Sequence, residues 1–376
     1  MELLSKIPNG VRYYFGAEAR LRRAVEDTAM SVFDGWSYEE ISTPSIDYYA
    51  LFEKGMGHIE AQRAFRFTDT DGRLLALRPD VTSTIARAAA TLFANRTRPL
   101  RLCYAAPVFR QRPRSHAEWR REWTQLGCEL IGTGTSDADI EMLIIASEVL
   151  DKLGLRDSSR ITLNHVGVFN GVAESLNLDG EARERMRQII DTRDSAEFGR
   201  FLAAQQSITP TERAPLKQLT RLNGGREILE EARRVITNAR SIAALDALKH
   251  LWDVIESLNL SDCFEIDLGD VSGLDYYTGL VCKRYVAGAG TRIGSGGRYD
   301  DLTANFGLSE PATGFVLDLD ALTDVLARHD SALAQNGNGA AIEIALDETV
   351  ARFREATRRR ATGERVRLTA EGSKDE

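Results

Sequence analysis

Hydrophobic and polar positions change from helical to strand spacing in well-separated segments of the first 131 residues. Apolar residues recur every three to four positions over 16–33, which predicts a long opening helix. Alternating segments on either side of a Thr-Asp-Gly turn predict a β-hairpin over 65–77. A second helical pattern over 81–93 precedes two strand patterns over 100–110 and 121–131. Hairpins and helices therefore share this part of the chain.

The second half of the chain continues with helices before strand patterns return. Ser136 and Asp139 fit a capping box for a helix that ends near Gly154. Residues 172–258 are rich in Ala, Leu, Glu and Arg, which is typical of an inserted helical module. Short strand patterns follow over 264–268, 280–286 and 315–319. Since strands and helices do not alternate regularly, the pattern favours an α+β sheet over a doubly wound one.

Composition and charge narrow the classes of protein. Of the 376 residues, 43% are hydrophobic and 28% charged, which is typical of a globular protein and not of a disordered or collagen-like chain. The net charge of −8 argues against a dedicated nucleic-acid or anionic-membrane surface. We find no apolar stretch near the ~20 residues of a membrane helix and no secretory signal, so we expect a cytoplasmic protein. The four cysteines are widely spaced, which predicts reduced, mostly buried thiols without a disulfide or zinc site.

Three groups of residues could bind a ligand, and each also has an ordinary structural interpretation. An arginine cluster at 110, 112, 114, 120 and 121 could hold phosphate or carboxylate, although a solvated loop is the more common case. The segment 294–298, GSGGR, could let a ligand approach the backbone, but its spacing favours a tight connection between strands. Tyr276 and Tyr277 could form a wall over a ring, while paired tyrosines in strands more often pack.

Gln125 and Glu129 lie four positions apart in a predicted strand and therefore share one face. This face is either a polar pocket or an exposed sheet surface. A carboxylate beside an amide would suit a ligand with an imidazole or ammonium group. The five histidines are scattered without ligand spacing, so neither a metal site nor a nucleophile triad is predicted.

Taken together, residues 5–325 resemble the catalytic core of class II aminoacyl-tRNA synthetases, and specifically histidyl-tRNA synthetase. Six segments carry the likeness in order: YEEISTP at 38–44, LRPDVT at 77–82, PVFRQRP with WTQLGCELIG within 107–132, GLDYYTG at 273–279, GSGGRYD at 294–300 and PATGFVLDLDAL at 311–322. The first resembles the motif of the dimer interface, and the third and sixth resemble motifs two and three. The resemblance implies an antiparallel sheet flanked by helices, with a helical insertion and a short C-terminal extension.

The resemblance also implies a domain division and a histidine pocket. We expect a core in two parts, 1–165 and 261–328, a mainly helical insertion over 166–260, and a linker with a short extension over 329–376. The residues implied to bind histidine are Asp80, Thr82, Arg110, Gln125, Glu129, Tyr276 and Tyr277. Within the family, the arginine matched by Arg110 lies near the histidine carboxylate and the ATP α-phosphate.

The chain departs from the synthetase pattern where ATP would bind. Ser272 stands where the family has the arginine that stabilises the α-phosphate, and Asp318 and Ala321 stand where motif three has a glycine and an arginine. In motif two, Gln111-Arg112 replaces an acidic residue. Loss of one preorganised donor typically costs about 10²- to 10³-fold in rate, so we expect no amino-acid activation. The segment after Gly339 is also too short for the usual anticodon-reading domain.

A chain that keeps a histidine pocket without the ATP contacts resembles the regulatory subunit of ATP phosphoribosyltransferase. This resemblance implies a non-catalytic, histidine-binding subunit without cofactor, metal, tRNA or membrane partners. It implies a dimer through the motif-one region and a hetero-octamer with a short-form catalytic subunit, which performs the first step of histidine biosynthesis. We expect the loop over 112–119 to order on the ligand. Two alternatives are an active synthetase-like ligase without the anticodon domain and a scaffold with a vestigial pocket.

Overall fold

The structure is a computed structural model, and it describes residues 6–112, 119–176, 178–191, 193–205, 209, 217, 221–271, 277–328, 341–344 and 348–368. Several sequence predictions concern positions outside these ranges. They include the ordering of the loop after Arg112, the roles of Ser272 and Tyr276, and the linker around residues 335–339.

The described elements follow one another from an N-terminal helix to a C-terminal strand. The helices are α1 (Gly16–Gly35), α2 (Tyr49–Met56), α3 (His58–Ala61), α4 (Thr82–Ala90), α5 (Ser136–Lys152), α6 (Val166–Ser175), α7 (Gly180–Asp191), α8 (Ser195–Ala204), α9 (Glu227–Val235), α10 (Ala239–Ser257), α11 (Leu319–Arg328) and α12 (Thr349–Ala361). The strands are β1 (Glu39–Glu40), β2 (Ile46–Tyr48), β3 (Arg66–Thr68), β4 (Leu74–Leu77), β5 (Leu100–Phe109), β6 (Glu122–Ile131), β7 (Ser159–His165), β8 (Asn223–Gly224), β9 (Phe264–Asp267), β10 (Leu280–Val286), β11 (Gly294–Arg298), β12 (Ala312–Asp318), β13 (Ile342–Ile344) and β14 (Val366–Leu368).

A nine-stranded sheet carries the core, in the order β1-β5-β6-β12-β11-β10-β7-β9-β8. Its neighbours are antiparallel except for the parallel pairs β1 with β5 and β7 with β9. The mostly antiparallel sheet with flanking helices confirms the α+β, class II synthetase-like fold that the sequence predicts. As the proline after β1 indicates, that short strand lies at an edge of the sheet.

The two faces of the central strands have different roles. On β6, Leu126, Cys128 and Leu130 point into a core formed with α1, α5 and α11. The intervening side chains lie on the opposite face, since successive side chains of a strand alternate. Gln125 and Glu129 are both on that second face and are buried there, so the face is not an exposed sheet surface.

A smaller sheet with the order β2-β4-β3 lies beside the main one. The pairing of β3 with β4 confirms the predicted hairpin. Its inward face joins α2 and α3 around buried Phe52, Met56 and Ala76. The outward face is apolar and exposed, with Ile46 and Tyr48 among its side chains.

Helices dominate the region between β7 and β9. Helices α6 to α10 pack on the inner face of these strands, where Val172, Leu248, Trp252 and Ile266 belong to one apolar cluster. After the core, β13 and β14 pair in parallel with α12 between them. The alternating segment near residue 366 therefore pairs within this chain.

Two local predictions are wrong. Residues 294–298 form β11, a central strand of the sheet, where the spacing favoured a connection. The glycines fit because a Cβ at Gly296 would collide with a carbonyl of β12. The capping box at the start of α5 is absent: Thr135 is the N-cap, and the carboxylate of Asp139 accepts a hydrogen bond from Arg298 Nε at 3.0 Å instead.

The four cysteines are all free and buried, as their spacing predicts. Among the described helices, none combines the length and apolar character needed to cross a membrane. The described residues also contain no cluster of three or more His, Cys, Asp or Glu side chains arranged for a metal ion.

Candidate functional site

Glu129, on β6, lies at the centre of a buried cluster of polar side chains, which is the candidate pocket. Only 1% of its surface is exposed. Thr82 Oγ1 donates to Glu129 Oε1 at 2.6 Å, Tyr104 donates to the same oxygen at 3.2 Å, and the Tyr299 hydroxyl donates to Oε2. Burial raises the pKa of Glu129 to about 8, although these hydroxyl donors act in the opposite direction. The carboxyl group can therefore change protonation near neutral pH when a cationic ligand approaches.

Two glycines on neighbouring strands leave the space that the Glu129 carboxylate and the Tyr104 hydroxyl occupy. Gly314 on β12 pairs with Glu129, and a Cβ at this position would collide with the Glu129 carboxylate. A Cβ at Gly127 would lie 2.5 Å from the Tyr104 hydroxyl. Hence Glu129 and Tyr104 meet only because the sheet presents bare backbone at these positions.

The start of α4 supplies the second wall of the pocket. Asp80 is 3% exposed, and its Oδ2 accepts hydrogen bonds from the backbone N–H and the hydroxyl of Ser83 at 3.1 and 3.0 Å. This arrangement fixes the first turn, from which Thr82 reaches Glu129. Arg78 is buried just before the helix and donates to the carbonyl of Pro107 at 2.6 Å. This hydrogen bond holds the segment LRPDVT, residues 77–82, against β5.

Gln125 connects the pocket to an adjoining cleft. It is 5% exposed, and no described residue donates to its Oε1 atom. A buried acceptor without a donor is costly, so this oxygen is suited to a ligand N–H or O–H. Arg110 lies nearby, with its guanidinium 4.8 Å from the centre of the Trp123 ring and its Nε 3.3 Å from the Pro79 carbonyl.

Tyr277 packs beside the apolar cluster that includes Val81 and Tyr104. A Cβ at Gly297 would approach the Tyr277 ring to 3.0 Å, so the ring lies close against β11. Burial raises the pKa of its hydroxyl group, and the nearby Arg292 partly opposes this shift. Tyr277 therefore stays neutral and can border a ring-shaped ligand.

The cleft beside Gln125 has a volume of about 220 Å³ and lies over β6, β11 and β12. Asp318 and Ala321 are both in its lining. Asp318 Oδ1 accepts the Ala321 backbone N–H at 2.8 Å, and its other oxygen lies 3.5 Å from Arg120. Burial raises the pKa of Asp318 to about 6, and Arg120 limits that rise. The aspartate is thus committed to capping α11 and to an internal ion pair.

Comparisons with known proteins agree with this architecture. Residues 10–322 match the sequence profile of histidyl-tRNA synthetase. An ATP phosphoribosyltransferase regulatory subunit from Moorella thermoacetica is 38% identical over 334 residues, which cover 89% of this chain and 85% of that protein. The chain belongs to the ATP phosphoribosyltransferase regulatory subunit family. A member from Geobacter sulfurreducens is also 38% identical, over 86% of this chain and 73% of the relative.

Solved structures extend the likeness beyond the core. An ATP phosphoribosyltransferase regulatory subunit/histidyl-tRNA synthetase from Bacillus halodurans C has a TM-score of 0.87 and 29% identity, and covers 99% of this chain and 94% of its own. Histidyl-tRNA synthetase from Nostoc sp. PCC 7120 has a TM-score of 0.78 at 21% identity, covering 98% of this chain and 86% of that one, and shows the shared fold alone.

In this member of the regulatory subunit family, Thr82 and Glu129 are in direct contact, and Asp80 is close enough to Glu129 to raise its pKa. Gln125 lies on the same face of β6, and Arg110 lies at the mouth beside the cleft. Tyr104 and Tyr299 also bind Glu129, and sequence reasoning missed both. Tyr104 lies among apolar residues of β5, and its own strand gives no sign of a polar role. The pairing of β5 with β6, which places Tyr104 opposite Gly127, was the signal that could have indicated it.

Proposed function

We propose that this chain is a non-catalytic regulatory subunit of ATP phosphoribosyltransferase that binds L-histidine. In this proposal the chain is required for activity and transmits feedback inhibition to a short-form catalytic subunit, whose own residues perform the reaction. The observation that carries the proposal is the buried carboxyl group of Glu129, surrounded by three hydroxyl groups and beside an amide acceptor. Such a pocket suits a small ligand with several N–H donors.

The chemistry of histidine matches the groups in this pocket. Its ammonium and imidazole N–H groups would donate to Asp80, Thr82, Gln125 and Glu129, while Arg110 would bind its carboxylate. Tyr276 and Tyr277 would enclose the imidazole ring. Charge-assisted hydrogen bonds of this kind contribute about 1.5 to 3 kcal/mol each, so a few of them suffice for specific binding.

Amino-acid activation has little support at the adjoining cleft. Asp318 is held by the α11 N-terminus and Arg120, so its negative charge would oppose a phosphate at that position. Ser272 and Ala321 supply no cation in place of the family arginines. We therefore expect no histidine-dependent exchange of pyrophosphate into ATP, and a clear exchange signal would favour the ligase alternative.

Calorimetry with L-histidine tests the binding proposal directly. We expect the purified chain to bind histidine and Glu129→Gln to weaken binding by roughly 10- to 150-fold, because one charge-assisted contact is lost. Glu122→Gln is the matched control, since Glu122 is exposed on the same strand. Absence of histidine binding by the unaltered chain, or equal affinity in the two variants, would contradict the assigned pocket.

The regulatory part of the proposal requires the assembled complex. Histidine must favour a less active conformation, and a coupling of about 1 to 3 kcal/mol would give roughly 5- to 150-fold regulation. With the catalytic subunit present, we expect Glu129→Gln to preserve activation and to abolish inhibition by histidine. A complex with the variant that remains fully inhibited would point to a scaffold with a vestigial pocket.

Self-association through the motif-one region is part of the same proposal. β1 lies at the edge of the main sheet, and the outward face of the small sheet exposes Ile46, Tyr48 and Phe67. An exposed apolar face next to an open sheet edge favours association with another protein surface. The hetero-octamer rests on the family resemblance and is tested by the mass of the reconstituted complex.

A further inference from the structure

Cys103 and Cys128 lie directly opposite each other on two ten-residue strands of the main sheet. β5 and β6 are antiparallel, and their register makes these two cysteines cross-strand partners. Both side chains belong to one apolar cluster, on the face of the sheet that packs against α1, α5 and α11. The two thiols therefore share a face and lie in the same part of the core.

The backbone hydrogen bonds around the two cysteines show which kind of cross-strand pair they form. The Cys103 carbonyl accepts the Ile41 N–H at 2.8 Å, so it points towards β1 and away from β6. The Gly132 N–H donates to the Pro311 carbonyl at 2.7 Å, and the alternation of bonding directions along β6 turns the Cys128 backbone towards β12 as well. The cysteines are thus a non-hydrogen-bonded pair, in which the two Cα atoms are about 4.5 Å apart.

This spacing is within the range that a disulfide can bridge. Disulfides join residues whose Cα atoms are about 4.4 to 6.8 Å apart and whose Cβ atoms are about 3.5 to 4.5 Å apart. The Cβ atoms of cross-strand partners are about 4.5 to 5.5 Å apart, and they are closest in pairs of this kind. A bond between the two sulfurs would draw the strands slightly together, and strained disulfides of this type are easily reduced again.

We propose that Cys103 and Cys128 are an oxidation site, at which a peroxide produces a reversible cross-strand disulfide. The Cys103 sulfur attacks one oxygen of hydrogen peroxide, the O–O bond breaks, and the other oxygen leaves as water with the thiol proton. The Cys128 sulfur then attacks the sulfenic acid sulfur of Cys103, the S–O bond breaks, and a second water leaves with the Cys128 proton. The two sulfurs lose two electrons in total, and the peroxide is reduced to two waters.

The edge of the sheet controls access of the peroxide to the two thiols. Cys103 is 2% exposed and Cys128 is fully buried. The Cys103 thiol donates to the carbonyl of Tyr38, the residue before β1, at 3.6 Å. Since β1 has only two residues and lies at the edge, it should open locally more easily than the central strands. Burial raises the pKa of Cys103 to about 12, so this thiol stays unreactive until the edge opens.

The residues that follow the two cysteines belong to the pocket on the opposite face of the sheet. Tyr104 follows Cys103, Glu129 follows Cys128, and the Tyr104 hydroxyl donates to the Glu129 carboxylate at 3.2 Å. A disulfide that draws β5 and β6 together would shift these two groups against each other. The consequence for a ligand rests on the proposed function: if the pocket binds histidine, the disulfide should weaken that binding.

Mass spectrometry of the full chain tests the disulfide independently of histidine. The folded chain is treated with hydrogen peroxide, unfolded with a reagent that blocks free thiols, and cleaved with trypsin without reduction. We expect residues 102–110 to be recovered linked to residues 122–152, and dithiothreitol to separate them. Cys282 lies opposite Leu163 and Gly296, so Cys263 and Cys282 should be recovered as blocked thiols. Absence of the linked pair, or equal linkage through Cys263 or Cys282, would overturn the proposal.

Two alanine variants and a calorimetric titration test the connection with the pocket. Peroxide should produce no linked peptides in Cys128→Ala or Cys103→Ala, whereas Cys263→Ala should still form the pair. In the oxidised, unaltered chain we expect histidine affinity to fall roughly 2- to 10-fold, as for one disturbed neutral hydrogen bond, and to recover with dithiothreitol. Equal histidine affinity in the linked and reduced chains would overturn the connection. A reduced chain that does not bind histidine would contradict the proposed function alone, and the linked peptides would still decide the disulfide.

Discussion

At the scale of single residues, Glu129 couples the fold to proton uptake. The carboxyl group has a pKa raised to about 8 by burial, against about 4.3 in an unfolded chain. The folded state therefore holds one more proton than the unfolded state between these two values. Linkage then requires the free energy of unfolding to fall as pH rises through this window and to level off above it.

Urea unfolding at several pH values checks this expectation. Relative to Glu129→Gln, the unaltered chain should lose stability from about pH 4.5 to pH 8, because its ionised carboxylate is buried. Glu122→Gln, on the exposed part of the same strand, should follow the unaltered chain. If the free energy of unfolding changed with pH in the same way in the unaltered chain and in Glu129→Gln, Glu129 would not hold the extra proton.

Histidine binding should also release protons from this residue. Near pH 7 the free Glu129 is mostly protonated, whereas a bound cation stabilises its carboxylate form. Calorimetry in two buffers of different ionisation enthalpy should therefore report a release of up to about one proton per site. Binding enthalpies that do not depend on the buffer would contradict an ionic contact with Glu129.

At the scale of elements, the pocket depends on how tightly β6, β11 and β12 approach one another. Gly314→Ala places a methyl group against the Glu129 carboxylate and 2.7 Å from the Cys128 carbonyl. We expect a loss of about 1 to 3 kcal/mol in unfolding free energy, measured by urea denaturation, together with loss of histidine binding.

Gly134→Ala is the control for that substitution, because its Cβ would only touch Pro311 at 3.5 Å. It should leave both stability and binding nearly unchanged. An alanine at position 314 that is tolerated as well as one at 134 would mean that the strands can separate without cost, contrary to the packing described above.

The elements also show what sequence patterns can predict. The β3–β4 hairpin and the long strands β5 and β6 follow from the strand spacing of their residues and, for the hairpin, from the Thr-Asp-Gly turn between its strands. β11 does not, because its glycines have low strand propensity and are selected by contacts with residues distant in sequence. The failed capping box has a similar cause: Asp139 binds Arg298, 159 positions away. Pocket partners such as Tyr299 depend on the same long-range pairing.

At the scale of the whole molecule, the outward face of the small sheet is the surface through which we expect the proposed dimer to form. Ile46 is 48% exposed on this face, beside Tyr48 and Phe67. Ile46→Asp should convert a dimer to a monomer in light scattering, because a desolvated carboxylate would oppose burial of the face. Leu92→Asp, at a residue that is 76% exposed elsewhere, should leave the mass unchanged. A dimer that persists in the Ile46 variant would place the interface on another surface.

The bare backbone at Gly314 and Gly127 also restricts how the pocket can change over many generations. Most binding cavities can shrink by small steps as one lining side chain grows at a time. Here a side chain added at Gly314 strikes the Glu129 carboxylate, which the ligand itself would contact, and one added at Gly127 strikes Tyr104, which donates to that carboxylate. Mutational drift at these two positions should therefore remove recognition abruptly, so descendants are expected to divide into chains that keep both glycines and chains that have lost the effector altogether.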